Sequence, residues 1–369
     1  MTIAPALAPM DVAGRLPRLR ALLESRDLPA LLVTRLPNVR YLTGFTGSAA
    51  VLLVTPDDTL FVTDGRYRDR SADELAAAGV AARIEIAATP ASQQEILGAA
   101  VGGLVRLGLE DQAVTWAQQR QFAEWFPGVD LDAAGTPVEE LRRVKDAGEV
   151  DRVRAACAIA DDAFAELLPR LAQGVTEREF AVALEFAMRA RGAERNSFDP
   201  IIAAGPNGAK PHAVPTDRPV GAGEMVVCDF GCVVEGYCSD MTRTVLVGTV
   251  SDAAREIFDV VLASQRAGRD AVRAGVECAE VDRASRAVID DAGFGDAFLH
   301  STGHGVGLEI HEAPRVSSVA RDTLLVGDIV TVEPGVYLTG VGGVRIEDTV
   351  VVTESGAEPL TRTPKDLVL

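Results

Sequence analysis

Two aspartates interrupt apolar, strand-like runs between residues 225 and 247, and this restricts the local fold more than any other feature of the chain. The run Met225-Val226-Val227-Cys228 meets Asp229, while Ser239-Asp240-Met241-Thr242 opens a second run. Between them Val234-Glu235-Gly236-Tyr237 reads as a hairpin turn. With Glu235 and Gly236 as the loop residues, Val234 faces Tyr237, and counting back sets Asp240 opposite Gly231, one diagonal step from Asp229. Both carboxylates then leave the same face of the sheet, where they repel each other and lose hydration unless a cation or a proton offsets the charge. A bound metal removes that difficulty, and Gly231 is expected to leave room for an ion between the strands.

The chain has only four histidines, His212, His300, His304 and His311, and its first 211 residues have none. That clustering points to a site in the C-terminal half. In His300-Ser301-Thr302-Gly303-His304-Gly305-Val306-Gly307, followed by His311 and Glu312, the glycines are expected to let the backbone approach a ligand. Neither the spacing nor the helical propensity matches a His-Glu-x-x-His zinc helix. Thr331-Val332-Glu333-Pro334-Gly335 and Gly343-Val344-Arg345-Ile346-Glu347 each set a glutamate among strand-like residues. By the two-residue period Arg345 and Glu347 share one face and Ile346 takes the other. Asp229, Asp240, His304, Glu333 and Glu347 form an oxygen-rich set with a single nitrogen, which suits hard or borderline divalent ions such as Mn²⁺, Co²⁺ or Zn²⁺. The negative charges of the four carboxylates match two divalent cations. Such a pair, roughly 3.5 to 4 Å apart, can share a hydroxide, lower the pKa of its parent water and clamp an oxyanion, which is hydrolase chemistry.

At 369 residues, 47% of them apolar, the chain exceeds the roughly 250 to 300 residues over which single cores grow, so two domains are expected. Residues 1–138 read as a small α/β domain, with an amphipathic stretch at 12–24 and apolar runs at 30–33 and 50–55. Gly135, Pro137 and the charged stretch 139–149 read as a linker leading into a helix, which places the boundary at 138/139. Residues 139–369 read as α+β, with helices expected near 147–171, 177–191, 253–274 and 280–292, and strands near 199–204 and 224–247. Thr176 and Glu179 form a capping box for the second helix, and Gly192 closes it.

A net charge of −18 disfavours nucleic acid and anionic membrane surfaces as partners. No run reaches the roughly 20 apolar residues of a membrane helix, and residues 1–14 lack a signal-peptide pattern, so a cytoplasmic location is expected. The five cysteines, without Cys-x-x-Cys spacing, are expected to be reduced and to fill buried strands.

These motifs resemble the pita-bread metallopeptidases, and among them the Xaa-Pro peptidases: aminopeptidase P and the Xaa-Pro dipeptidases, or prolidases. The resemblance extends over nearly the whole chain. Asn38-Val39-Arg40-Tyr41-Leu42-Thr43-Gly44-Phe45-Thr46-Gly47-Ser48 is similar to a signature of their creatinase-type N-terminal domain, and Leu141-Arg142-Arg143-Val144-Lys145-Asp146 to their linker. It implies that Asp229 holds one metal, that His304 and Glu333 hold the other, and that Asp240 and Glu347 bridge both. It further implies that His212 and His311 contact the substrate carbonyl and stabilise the intermediate, and that His300 lies near the proline. Arg345 would support the ligands from behind, and Glu333 would carry a proton from water to the leaving nitrogen. The implied substrates are Xaa-Pro dipeptides or peptides with proline second, the implied metal is Mn²⁺, and a homodimer is expected. Lys210 departs from the family pattern, standing in Ala203-Ala204-Gly205-Pro206-Asn207-Gly208-Ala209-Lys210 where an apolar residue is expected. A competing reading is a non-catalytic pita-bread protein that binds peptides or proteins; such relatives typically lose ligands, and this chain keeps all five.

Overall fold

The computed structural model describes residues 7–369, so the first six of the fourteen opening residues considered above lie outside the described residues. It divides into two compact units, Met10–Arg142 and a larger one formed by residues 7–9 with Arg143–Leu369.

The smaller unit is built on a six-stranded sheet in the order Arg83–Ile86, Thr59–Thr63, Ala50–Val54, Leu31–Val33, Arg106–Leu109, Asp130–Ala133. Leu31–Val33 and Thr59–Thr63 are buried along their whole length, which accounts for continuous apolar runs in place of alternation. The helices Pro90–Val101 and Trp116–Trp125 open with capping boxes and pack Leu97, Val101 and Phe122 into the sheet's core. Asn38, on the helix Leu36–Thr43, donates to Glu110 at 2.6 Å and Glu139 at 2.8 Å and accepts from Arg142 at 2.7 Å. That asparagine therefore serves the interior of this unit.

The stretch 139–149, read from sequence as a linker, is mostly helical: one helix spans Pro137–Arg143, and Asp146 caps the next, Ala147–Leu167. Charged residues at 139 and 140 fall in the first turn of the earlier helix, where its dipole favours acids.

In the larger unit a four-stranded sheet runs Leu367–Val368, Met241–Val247, Glu224–Phe230, Ile201–Ala204. A five-stranded sheet runs Glu312–Val316, Gly303–Gly305, Ile329–Val332, Asp348–Val352, Ala357–Pro359. Helices Ala147–Leu167 and Glu177–Ala190 cover the first sheet, bringing Phe164 to 4.9 Å from Phe230 and 6.2 Å from Phe180. Each such buried aromatic side chain contributes about 1.5–3 kcal/mol. Helices Asp252–Ala271 and Cys278–Asp291 pack against residues from both sheets, among them Met225, Leu246, Val316 and Val330. The Thr176/Glu179 capping box is formed, and Gly192 takes the φ of 105° expected of a residue that stops a helix. All five cysteines are buried and free, but Cys157 and Cys278 sit on helices, where a small apolar side chain packs equally well. No described helix is long and apolar enough to cross a membrane.

Candidate active site

The strands that carry the acidic residues end at one cavity of about 730 Å³ in the larger unit. Asp229 closes on the end of Glu224–Phe230, Asp240 precedes Met241–Val247, Glu333 follows Ile329–Val332 and Glu347 precedes Asp348–Val352, while His304 lies within Gly303–Gly305. The two sheets meet there: Glu347 N–H donates to the Thr242 carbonyl at 3.1 Å, and Thr349 Oγ1 to the Asp240 carbonyl at 2.7 Å. All nine residues singled out from the sequence, including His212, His300, His311 and Arg345, line this cavity.

Tyr237 pairs with Val234 and Thr242 with Asp229, and the Ser239 N–H donates to the Cys232 carbonyl at 2.9 Å in the same register, so Asp240 stands opposite Gly231. Glu235 and Gly236 have φ of 43° and 85°, the two positive values of a type I′ turn. Gly231 does not make room for an ion, however. A Cβ there would lie 1.9 Å from the Ser239 carbonyl oxygen, so glycine is required by the approach of the neighbouring strand. The glycines around His304 need the same correction. Added Cβ atoms would meet Thr331 O at 2.0 Å from Gly303, Ala313 O at 2.2 Å from Gly305 and Glu312 Oε2 at 2.5 Å from Gly307, so the protein's own packing, and not a ligand, excludes a side chain.

His304 Nδ1 lies 3.0 Å from the Gly305 carbonyl, which can only accept, so this nitrogen carries the proton and Nε2 is bare. That bare nitrogen is 3.3 Å from Glu333 Oε1 and 3.5 Å from Asp240 Oδ2, an arrangement of lone pairs that needs a cation or proton between them. Asp240, His304 and Glu347 each offer a ligand atom, all within 4.8 Å of one another. Asp229 Oδ1 and Glu347 Oε1 are buried and have no hydrogen-bond partner among the described residues. Burial, then the charges of Glu347, Asp229 and Glu333, pushes Asp240 well above the carboxylate range. Burial followed by Glu333 and Asp229 does the same to Glu347, and burial pushes Glu333 up to about 7. A pair of divalent cations would satisfy the bare imidazole nitrogen, the orphaned oxygens and the mutual repulsion together, so the donor set fits such ions.

Arg345 reaches across this cluster. Its guanidinium donates to Asp229 Oδ2 at 2.5 Å, to Thr242 Oγ1 at 3.1 Å and to the Tyr337 hydroxyl at 2.6 Å. Thr242 in turn donates to Glu347 Oε2 at 2.7 Å, and Thr331 to Glu333 Oε1 at 3.0 Å. His300 Nδ1 faces the Ser301 carbonyl at 2.8 Å, leaving Nε2 to accept from Tyr337 at 2.9 Å. Burial lowers the His300 pKa to about 4 and also lowers those of His304 and His311. Sequence reasoning missed Tyr337, Thr242 and Thr331; for the tyrosine the available signal was that a buried phenol needs a partner for its hydroxyl. Lys210 is exposed, lies 3.3 Å from Asn207 Oδ1 and is not among the cavity residues, so it does not intrude on the site.

An α+β body that gathers buried carboxylates and a bare imidazole nitrogen at one cavity is that of a metal-dependent hydrolase. The chain belongs to metallopeptidase family M24, whose family model matches residues 151–354, and a creatinase/prolidase N-terminal domain matches residues 15–144. Its fold is therefore the pita-bread domain behind a creatinase-type domain. The chain is 40% identical to the Xaa-Pro dipeptidase of Pyrococcus furiosus over 262 residues, 71% of this chain and 75% of that protein. An Xaa-Pro dipeptidase structure from Bacillus anthracis superimposes with a TM-score of 0.93 at 37% identity, covering 97% of this chain and all of that one. An X-Pro aminopeptidase structure from Thermotoga maritima gives 0.86 at 33% identity, covering 95% of this chain and all of the other.

Proposed function

We propose that this metallopeptidase hydrolyses the peptide bond preceding proline, and that its preferred substrates are Xaa-Pro dipeptides. The observation that carries the reading is the convergence of Asp229, Asp240, His304, Glu333 and Glu347 on one cavity with two buried carboxylate oxygens that have no hydrogen-bond partner among the described residues. Asp229 would hold one cation, His304 and Glu333 the other, and Asp240 and Glu347 both, with Mn²⁺ as the metal. Four ionised carboxylates and the one guanidinium of Arg345 leave three negative charges at the cavity floor. Two divalent cations would leave one positive charge over, which an ionised water supplied by the pair as nucleophile would neutralise while the cations face the developing oxyanion.

The remaining steps fall to side chains. Glu333, a carboxylate lining the cavity 3.3 Å from His304 Nε2, would take a proton from water and return it to the leaving nitrogen. The neutral His300, held by Tyr337, faces the proline ring, while His212 and His311, exposed at the cavity, contact the substrate carbonyl. Arg315 supports the dipeptidase preference: it lines the cavity, is exposed, and among the described residues makes no ion pair, so it is free to meet a substrate carboxylate. A reduced cytoplasm, supported by five free thiols, and a homodimer complete the reading.

The test uses Mn²⁺-loaded protein on an Xaa-Pro dipeptide and on a tripeptide with the same start. Faster dipeptide turnover, abolished by Glu347→Ala, is expected, and Arg315→Met should raise KM for the dipeptide more than for the tripeptide. No turnover of either substrate by the metal-loaded wild type would overturn the proposal.

A further inference from the structure

Lys145 and Glu312 form a buried ion pair beside the cavity that none of the roles above uses. The Lys145 ammonium lies 3.2 Å from Glu312 Oε2, with 1% of the lysine side chain and 6% of the glutamate side chain exposed. Among the described residues Lys145 Nζ has no hydrogen-bond partner, so Glu312 is its charge compensation. The lysine is held by its backbone as well: its N–H donates to the Gly327 carbonyl at 3.0 Å.

Glu312 holds a loop. It pairs with Gly305 across the strands Gly303–Gly305 and Glu312–Val316, where the register shifts between His304 and Gly305. The chain between the two paired residues, 306–311, ends in His311, whose ring lies 4.4 Å from that of His304. Glu312 Oε1 accepts the Glu309 N–H at 3.0 Å, and the same carboxylate lies so close to Gly307 that a Cβ there would be 2.5 Å from Oε2. One carboxylate thus ties the middle of the loop to its end and sets where His311 stands. A buried carboxylate needs a countercharge as well as an N–H donor, and Lys145 supplies it from a segment that carries no reacting group.

We propose that Lys145 is a positioning residue, acting through Glu312 to fix the 306–311 loop and so to hold His311 against the substrate. The kinetic consequence rests on the Xaa-Pro peptidase reading; the structural consequence does not. Removing the lysine charge takes from this buried carboxylate the ammonium 3.2 Å away, which loosens its hold on the loop, and a displacement of about 1 Å at a substrate-contacting group can cost about a hundredfold in rate.

The experiment compares Lys145→Met, Glu312→Gln and the double variant in the metal-loaded enzyme. For K145M, kcat should fall about ten- to a hundredfold, with KM nearly unchanged and bound metal equal to wild type. Amide hydrogen exchange should speed up at 305–312 while the helix Ala147–Leu167 keeps its protection. The double variant removes both charges yet retains an acceptor for the Glu309 N–H, so it should recover most of the activity and loop protection. Unchanged exchange at 305–312 in K145M, or a double variant no better than K145M, overturns the proposal. Should K145M not fold, E312Q, which leaves the ammonium unpaired, takes its place: greater protection in the double variant than in E312Q sustains the proposal, and equality overturns it. Inactivity of the wild type would instead strike the peptidase reading, and the exchange data would still decide the role of Lys145.

Discussion

Stripping divalent cations should make the larger unit lose stability as pH rises from about 6.5 to about 8, the reverse of what ordinary carboxylates do. Asp240 and Glu347, whose ordinary values are 3.8 and 4.5, are held far higher by burial and by their acidic neighbours. In that window the metal-free folded protein therefore keeps protons that the unfolded chain has released, and stability falls with pH. Each proton that the folded state retains and the unfolded chain has released costs about 1.4 kcal/mol of stability per pH unit. Glu333, pushed up to about 7, adds the same sign until it ionises within the window.

The limits of the window come from other groups. Below 6.5 the histidines act oppositely, because the unfolded chain binds protons that the buried imidazole of His300, lowered to about 4, refuses. Above about 8 the buried thiols, with Cys232, Cys238 and Cys278 raised to about 12, begin to add their own loss. The assay is urea unfolding followed by far-ultraviolet circular dichroism, in chelator and in excess Mn²⁺. Both tryptophans, Trp116 and Trp125, belong to the Met10–Arg142 unit, so their fluorescence follows that unit separately. Bound cations keep the carboxylates ionised in the folded state and remove the slope, so the gap between the two preparations should widen with pH. Metal-free stability that is level or rising between pH 6.5 and 8, or the same slope with and without metal, would refute the reasoning.

Thr242→Val deletes the donor to Glu347 Oε2 and the acceptor for Arg345 Nε; metal affinity, measured by calorimetric titration, should fall about 10- to 100-fold. Tyr337→Phe leaves His300 Nε2 and one Arg345 N–H without their partner; the loss of about 1.5–3 kcal/mol expected for a bond to a charged group should appear as at least about a tenfold drop in kcat/KM at unchanged metal content. Gly231→Ala drives a Cβ to 1.9 Å from the Ser239 carbonyl oxygen; it should destabilise the larger unit by more than about 3 kcal/mol in urea unfolding, whereas Gly275→Ala, with open space around it, should show only the backbone strain of its φ of 82°.

What was legible in the sequence depended on how far apart the cooperating residues lie. The hairpin that carries Asp229 and Asp240 is a local object, and its register follows from two turn residues and a period of two, so Val234 could be set against Tyr237 without coordinates. The same period set Ile346 on the face opposite Arg345 and Glu347, and in the structure Ile346 packs into the core while the other two line the cavity. Reasoning from residue type alone went astray at the glycines. Gly231, Gly303, Gly305 and Gly307 resemble ligand-cradling positions, but the atoms that exclude their Cβ belong to neighbouring strands and loops that no local pattern reveals. The charged stretch 139–149 leads into the expected helix Ala147–Leu167, but its first part is itself helical: Glu139 and Glu140 are first-turn residues of Pro137–Arg143.

The hydroxyls that orient the carboxylates could not have been found locally, because Thr242 serves Glu347 from the opposite sheet and Tyr337 is joined to His300 only through tertiary packing. The acidic residues of the site announce themselves, since a carboxylate within an apolar strand violates the burial pattern. Their orienting partners do not, since a threonine in a strand or a tyrosine in a core violates nothing. Lys145 belongs to that second kind: in sequence it is one more charge before a helix, and only the burial of its ammonium against Glu312 gives it a claim on the reaction.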